Sequence, residues 1–331
     1  MLIPAVRLVV ITACCTAWAV GGKFSFEREL MGTRFSIVCY TKDRATAETS
    51  AEAAFEIAER INQVASDYLP KSELSRLSCR PVSEAVEVSP MLYDLFEHSL
   101  TIAKSTDGAF DPTLAPFSRI WRECRKSGKL PAPETIESAR NSVGWQHVVL
   151  DSVNRSIRMK REGMSFDLGG VAKGHAADSM IESFFAAGLK QVMIVAGGDV
   201  RLGEAPPGRA GWNVAVKTFH PDRSDEILTL SHAAVSTSGD LYQSVEIDGV
   251  SYSHIIDPKT GLGLTHRIAA TVIADHARLS DPLATAACVM GEHSAERLKN
   301  IRGVREVRIR TLQDPADPAR LKLPAQPAHE K

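Results

Sequence analysis

Apolar positions along this chain change period from segment to segment, and the changes mark out its elements. After Met31-Gly32-Thr33, the segment Arg34-Phe35-Ser36-Ile37-Val38-Cys39 alternates enough to predict a strand. Ala54, Ile57, Ala58, Ile61, Val64 and Ala65 then recur at helical spacing through a charged background, which predicts a long amphipathic helix. Ser89-Pro90 opens a second helix that carries Leu92, Leu95, Phe96 and Ala103 and stops near Gly108. Residues 141–159 read as short strands. A third helix places Ala172, Ala176, Met180, Ile181 and Phe184 on one face and is ended by Gly188. Gln191 to Val195 and Trp212 to Val216 read as strands, and Asp248-Gly249 is a two-residue hairpin turn between 242–247 and 250–255. Ala269 to Ile273 is a buried strand, Ser280 to Met290 a helix, and Val304 to Ile309 a last strand. A hairpin and strands mixed with long helices predict an α+β fold, with mixed or antiparallel sheets flanked by helices. No short repeat appears, and no boundary divides the chain.

Composition narrows the partners. At 331 residues, 44% hydrophobic and 24% charged, the chain suits one large globular domain or two modest ones. A formal net charge of −1 leaves no broad basic field for nucleic acid. The N-terminus differs from the rest. Arg7 precedes an apolar run from Leu8 to Val20 that holds Ala17-Trp18-Ala19, a small-x-small signal for leader cleavage, so residues 1–19 predict export. The same run carries Ile11-Thr12-Ala13-Cys14, which resembles a lipobox and would leave Cys14 lipidated and membrane-anchored. Both routes lead to a periplasmic location, and the run is shorter than the ~20 residues of a membrane span. Cys39, Cys79, Cys124 and Cys288 lack ligand spacing and read as small core residues. Residues 314–331, rich in Pro, Ala and charge, read as a loose tail.

The densest chemistry is Phe166-Asp167-Leu168-Gly169-Gly170-Val171-Ala172-Lys173-Gly174, which places a carboxylate, a glycine pair and a lysine at the third helix's entrance. Glycines allow close backbone approach and a helix start offers free N–H donors to an anion, so the turn suits a phosphate-bearing ligand. Taken singly, Gly108-Ala109-Phe110-Asp111-Pro112-Thr113 also reads as a tight turn after a helix, Gly197-Gly198-Asp199 as a strand end, and Ser236-Thr237-Ser238-Gly239-Asp240 as a hydroxyl-rich turn whose side chains could hold a ligand or cap the backbone. His254 leaves a strand next to the Asp257-Pro258 turn, although a lone histidine is more often structural. Asp281 and Thr285 stand at i and i+4 on one face of a helix start, where both oxygens can reach one hard cation such as Mg²⁺. Taken alone, Asp281 also reads as an acid favoured by the helix dipole.

In order and wording these motifs resemble the ApbE-type FAD:protein FMN transferases, from Met31-Gly32-Thr33 through Ser72-Glu73-Leu74-Ser75 and the segments just quoted to Ser253-His254-Ile255-Ile256-Asp257-Pro258-Lys259-Thr260-Gly261 and Asp281 to Thr285. The resemblance spans 24–313 and implies an ApbE-like architecture related to the T-fold. It implies Mg²⁺-dependent transfer of FMN from FAD to a threonine hydroxyl of a target flavoprotein, an electron-transport subunit or exported reductase, with release of AMP. By matching positions, Met31, Tyr68, Ala109, Phe110, Asp111, Asp167, Lys173 and Ile256 would line the FAD site, with Tyr68 stacking. Asp281 and Thr285 would hold Mg²⁺ by side chain and Gly170 by its carbonyl, while His254 would activate the acceptor or orient the pyrophosphate. Gly261-Leu262-Gly263-Leu264 lacks a proline frequent in the family, and Pro282 replaces a common alanine. Pro282 fits a first helical turn, where its missing N–H has no partner. The alternatives are a Mg²⁺-dependent FAD pyrophosphatase, giving FMN and AMP, and a non-enzymatic exported FAD-binding protein.

Overall fold

The computed structural model describes residues 22–216, 225–239 and 244–311. The leader with Cys14, the tail 314–331 and Asp240 lie outside the described residues. In chain order the elements are β1 (Gly22–Leu30), β2 (Thr33–Thr41), α1 (Arg44–Ala65), α2 (Glu73–Ser78), β3 (Ala85–Glu87), α3 (Pro90–Ser105), α4 (Ala115–Ser127) and α5 (Pro133–Arg140). There follow β4 (Val148–Asp151), β5 (Ser156–Met159), α6 (Gly169–Ala186), β6 (Val192–Ala196), β7 (Asp199–Leu202), β8 (Trp212–Val216), β9 (Glu226–Leu230) and β10 (Ala234–Gly239). The chain closes with β11 (Ser244–Ile247), β12 (Val250–Ser253), β13 (Ile268–Ala274), α7 (Ala277–Met290), α8 (Ser294–Leu298) and β14 (Val304–Thr311).

Seven strands form the main sheet in the order β1-β2-β6-β7-β10-β13-β14, with every neighbouring pair antiparallel. The fold is therefore α+β, as the sequence predicts. Helices α6 and α7 pack on this sheet and on each other, and α1 packs beside α6 and against β1 and β2. On the other face the β8–β9 hairpin covers a second core of Trp212, Val214, Val216, Leu202, Val235 and Ile273. This two-sided cover explains why β13 is buried along its whole length and reads as an unbroken apolar run. A third cluster joins Trp121 and Cys124 of α4 to Ile247 and Tyr252 of the β11–β12 hairpin, which seats that hairpin against α4. Its turn residues have φ of 51° (Asp248) and 77° (Gly249), as a type I′ turn requires.

Four expectations need correction. Residues 148–151 and 156–159 are strands, but 141–147 form turns and a single 3₁₀ turn. Cys39, Cys124 and Cys288 are buried, as expected of core residues, whereas Cys79 is exposed. It caps α2, whose inward face is spent on Leu74 and Leu77. Ser236 to Gly239 are no turn: they belong to β10, and their hydroxyls are matched across the fold. Ser236 pairs with Ser280 at 2.8 Å, Thr237 with Thr271 at 2.9 Å, and Ser238 with Thr285 at 3.2 Å.

The fourth correction concerns Pro282, which lies inside α7 rather than in its first turn. The helix begins at Ala277 because the buried Asp178 of α6 accepts the N–H groups of Ala277 (3.0 Å) and Arg278 (2.8 Å), a cap supplied from another helix. Pro282 therefore deprives the Arg278 carbonyl of its i+4 donor. The Nε2 of His98, 2.6 Å from that oxygen, supplies the missing hydrogen bond from α3.

Candidate functional site

The site is assembled around the first two turns of α6. A carboxylate already caps the entrance: Asp167 Oδ1 accepts the Gly169 N–H at 2.9 Å, and the Asp167 N–H donates to the Pro112 carbonyl at 2.9 Å. The expected row of free donors is thus partly used by the protein itself. Asp167 Oδ2 lies 3.5 Å from Arg122 of α4, whose same nitrogen reaches Asp67 at 2.6 Å. The Arg122 guanidinium also lies over the Tyr68 ring, 4.0 Å from its centroid, while the ring remains 71% exposed. Tyr68 and Asp167 are joined by a residue with no motif around it. Burial, and after it the charge of Asp167, push the Asp67 carboxyl up from its ordinary range.

One turn further along α6, Lys173 stands between two aspartates. Its Nζ is 3.2 Å from Asp199 Oδ2, 3.3 Å from Asp281 Oδ2 and 3.3 Å from the Gly169 carbonyl. Burial opposes the lysine's charge, but the two carboxylates outweigh it and raise its pKa. Burial and then the charge of Asp199 push the Asp281 carboxyl up to about 6, against the pull of Lys173. Asp281 Oδ2 also accepts the Gly174 N–H at 3.0 Å, the amide that a regular helix aims at the Gly170 carbonyl. Lys173, expected among the FAD-lining residues, is thus engaged with the expected metal ligand.

Gly170 is the meeting point of two other expected residues. A β-carbon there would lie 3.2 Å from the Phe110 ring and 3.8 Å from Thr285 Oγ1. Thr285 in turn contacts Ser238 of β10. Ala109 is half-buried against the main core and Phe110 is buried in it. Asp111, also buried, accepts the Thr113 N–H and hydroxyl at 2.8 and 2.6 Å and the Trp145 N–H at 3.1 Å. Those bonds tie the turn after α3 to the loop before β4.

The remaining expected residues arrive on separate elements. Met31 lies in the β1–β2 turn with φ of 51°, a left-handed conformation strained for a non-glycine residue. The next turn over, Gly197-Gly198, touches it through Thr33, whose hydroxyl would lie 3.0 Å from a β-carbon at Gly197. His254 follows β12, and Ile256 pairs with Gly263 in an isolated antiparallel bridge. That loop is pinned by Trp121, whose indole N–H donates to the Ser253 carbonyl at 3.0 Å.

The sequence motifs do not single out Arg122, Asp67, Asp199 and Ser238 as site residues. Asp199 stands in a motif readable as a strand end and Ser238 in a hydroxyl-rich turn able to hold a ligand, but neither motif by itself marks its residue for this site. Nothing near Arg122 or Asp67 marks them, because only the approach of α4 to the α6 entrance brings them together. Among the described residues no three His, Cys, Asp or Glu side chains converge as a metal cluster.

A family model described as the ApbE family matches residues 31–308. The FAD:protein FMN transferase of Chlamydia muridarum is 30% identical over 236 residues, covering 70% of this chain and 72% of that protein. The crystal structure of the ApbE protein from Thermotoga maritima superposes with a TM-score of 0.80 at 30% identity, over 88% of this chain and 94% of the other. A histidine-to-glycine variant of the Vibrio cholerae flavin transferase ApbE gives 0.78 at 25% identity, over 88% and 98%.

Proposed function

The chain belongs to the ApbE family, and from that membership we propose that it transfers FMN from FAD to a threonine hydroxyl of a target flavoprotein, with Mg²⁺ as cofactor and AMP as leaving group. The observation that carries the reading is a charge imbalance. Among the described residues, the ion pairs of Asp67, Asp167, Asp199 and Asp281 run to Arg122 and Lys173, four carboxylates to two cations. A pyrophosphate entering alone would meet surplus negative charge, so the site calls for a divalent cation alongside it.

The donors fit Mg²⁺ by their chemistry. Asp281 and Thr285 offer a carboxylate and a hydroxyl one helical turn apart, Gly170 lies against Thr285, and the Gly174 amide leans toward Asp281 rather than toward the Gly170 carbonyl alone. So few protein oxygens suit an ion that keeps waters and substrate phosphates in its shell. When bound, Mg²⁺ supplies Lewis-acid neutralisation of pyrophosphate oxygens.

The chain's own residues do the rest. Tyr68 offers an exposed ring backed by the Arg122 guanidinium, a face suited to stacking a flavin. Phe110 fills the space beside Gly170 and keeps that backbone stretch in place. The threonine oxygen bonds to the FMN phosphorus as the phosphoanhydride P–O bond breaks, and AMP departs with the electron pair. His254, at the exit of a strand seated against α4, takes the threonine proton. The Vibrio cholerae relative was solved with a histidine-to-glycine change, the residue type to which this role falls.

The test is incubation with FAD, Mg²⁺ and a target domain carrying its acceptor threonine. The expected products are a covalently fluorescent target and AMP, with Asp281→Ala lowering the rate by about two orders of magnitude or more. Free FMN without labelled target would replace the transferase with the hydrolase, and intact FAD with unlabelled target would refute both.

A further inference from the structure

Asp199 has a place in the site that its motif does not explain. It is 4% exposed, at the start of β7 just after the Gly197-Gly198 turn, and its Oδ2 makes no hydrogen bond of regular geometry. The charge near that oxygen is the Lys173 ammonium at 3.2 Å, which is shared with Asp281 at 3.3 and 3.4 Å. Asp281 has a second donor in the Gly174 N–H. The lysine is thus a counter-ion common to two buried carboxylates, one of which, Asp281, is a proposed Mg²⁺ ligand.

An ammonium and a divalent cation compete for the same carboxylate oxygens. If Asp281 were the lysine's lone acidic partner, Mg²⁺ entry would leave Lys173 without a counter-charge in a largely buried setting, a costly state. Asp199 removes that cost, because the ammonium needs only to give up one of two partners already in contact.

We propose that Asp199 is a positioning residue that retains the Lys173 ammonium when Mg²⁺ takes Asp281, so that the Asp199–Lys173–Asp281 triad acts as a counter-ion exchange built into the α6–β7–α7 junction. The inference rests on the Mg²⁺ reading of Asp281 given above. It assigns Asp199 a part in cation binding without making it a ligand, and it gives Lys173 two states. On Asp281 it substitutes for the cation; on Asp199 it stands free to face the phosphates.

The experiment is Mg²⁺ titration of the full chain without FAD, followed by calorimetry at neutral pH, with circular dichroism as a check of folding. Four proteins are compared: wild type, Asp199→Asn, Lys173→Gln and the double variant. Asp199→Asn is expected to weaken Mg²⁺ by about tenfold, since Lys173 then has Asp281 alone. Lys173→Gln removes the competitor and is expected to tighten Mg²⁺ severalfold. In the double variant the Asp199→Asn effect should shrink to within about threefold of Lys173→Gln, because no ammonium remains to be retained. An equal loss from Asp199→Asn in both backgrounds would overturn the inference, as it would make Asp199 a simple ligand or field effect. If Asp199→Asn does not fold, Lys173→Gln decides: unchanged Mg²⁺ affinity there also overturns it. Wild type with no Mg²⁺ binding, either alone or with ADP present as a pyrophosphate probe, would instead refute the cation reading of Asp281 itself.

Discussion

Acid should loosen the junction that holds the site, and His175 gives the size of the effect. It follows Gly174 on α6, and its pKa is lowered to about 4, first by burial and then by the Arg278 charge, with His98 acting in the same direction and Asp178 opposing. The native state therefore favours the neutral ring, while the unfolded chain takes up its proton near pH 6.5. In the window between about 4 and 6.5 the unfolded state binds more protons, so the stability contributed by this group is complete above that window and is lost as pH falls through it. At pH 5 the two values give a loss of about 2 kcal/mol, reduced to about 1–2 kcal/mol because the ring is only partly buried. That corresponds to a Tm lower by about 2–3 °C for a domain of this length. Asp281, with its raised pKa, works in the opposite sense over part of the same window, so the comparison must be between variants. Thermal melts of wild type and His175→Gln at pH 7.5 and 5.0 isolate the term, and the variant's acid-induced drop in Tm should be smaller by that 2–3 °C. Equal drops in both proteins would refute the assignment of a neutral, partly buried imidazole.

Two further substitutions probe how the helices meet. A β-carbon on Gly174 would overlap the Ala277 carbonyl and lie 2.9 Å from the Asp281 β-carbon, so Gly174→Ala should cost about 1–3 kcal/mol and weaken Mg²⁺ binding through the shift of α7. Wild-type Tm and Mg²⁺ affinity together would contradict so tight an α6–α7 contact. Arg122→Ala should weaken FAD binding by about tenfold, measured by quenching of flavin fluorescence, as Tyr68 loses its backing and Asp67 and Asp167 lose a shared counter-charge. Arg122→Lys keeps the charge but not the planar stack and should recover only part of that loss; wild-type affinity in both variants would remove Arg122 from the site.

Local pattern made much of the fold legible. The Asp248-Gly249 turn and the strands Trp212–Val216 and Val304–Thr311 follow from composition within a few residues. Strand β1 also carries its signal, with Phe24, Phe26 and Leu30 on even-numbered positions. What pattern could not supply was the partner across the fold. Ser236 and Ser238 look like turn residues until Ser280 and Thr285 are placed opposite them. The start of α7 has no capping residue of its own, because Asp178 on α6 does the capping. Placing that start three residues too late made Pro282 look harmless, when its tolerance depends on His98 from a third helix.

The α6 entrance carries the same lesson into the chemistry. Read along the sequence, Asp167, two glycines and Lys173 make an anion cradle, because a helix start has spare N–H groups. In the fold, Asp167 takes the Gly169 donor, Asp281 takes the Gly174 donor, and Lys173 is held by two carboxylates. An entrance partly occupied in this way has less attraction for phosphate by itself than the sequence motif suggests. Under the proposed cation reading its attraction is conditional: with a divalent cation on Asp281 and Lys173 kept by Asp199, the net charge of the Asp199–Lys173–Asp281 triad would turn from negative to positive. The motif would therefore couple cation and pyrophosphate binding, each improving the affinity for the other by the same factor. The glycines then serve close packing as much as ligand approach, since Gly174 admits the α7 backbone and Gly170 admits Phe110 and Thr285.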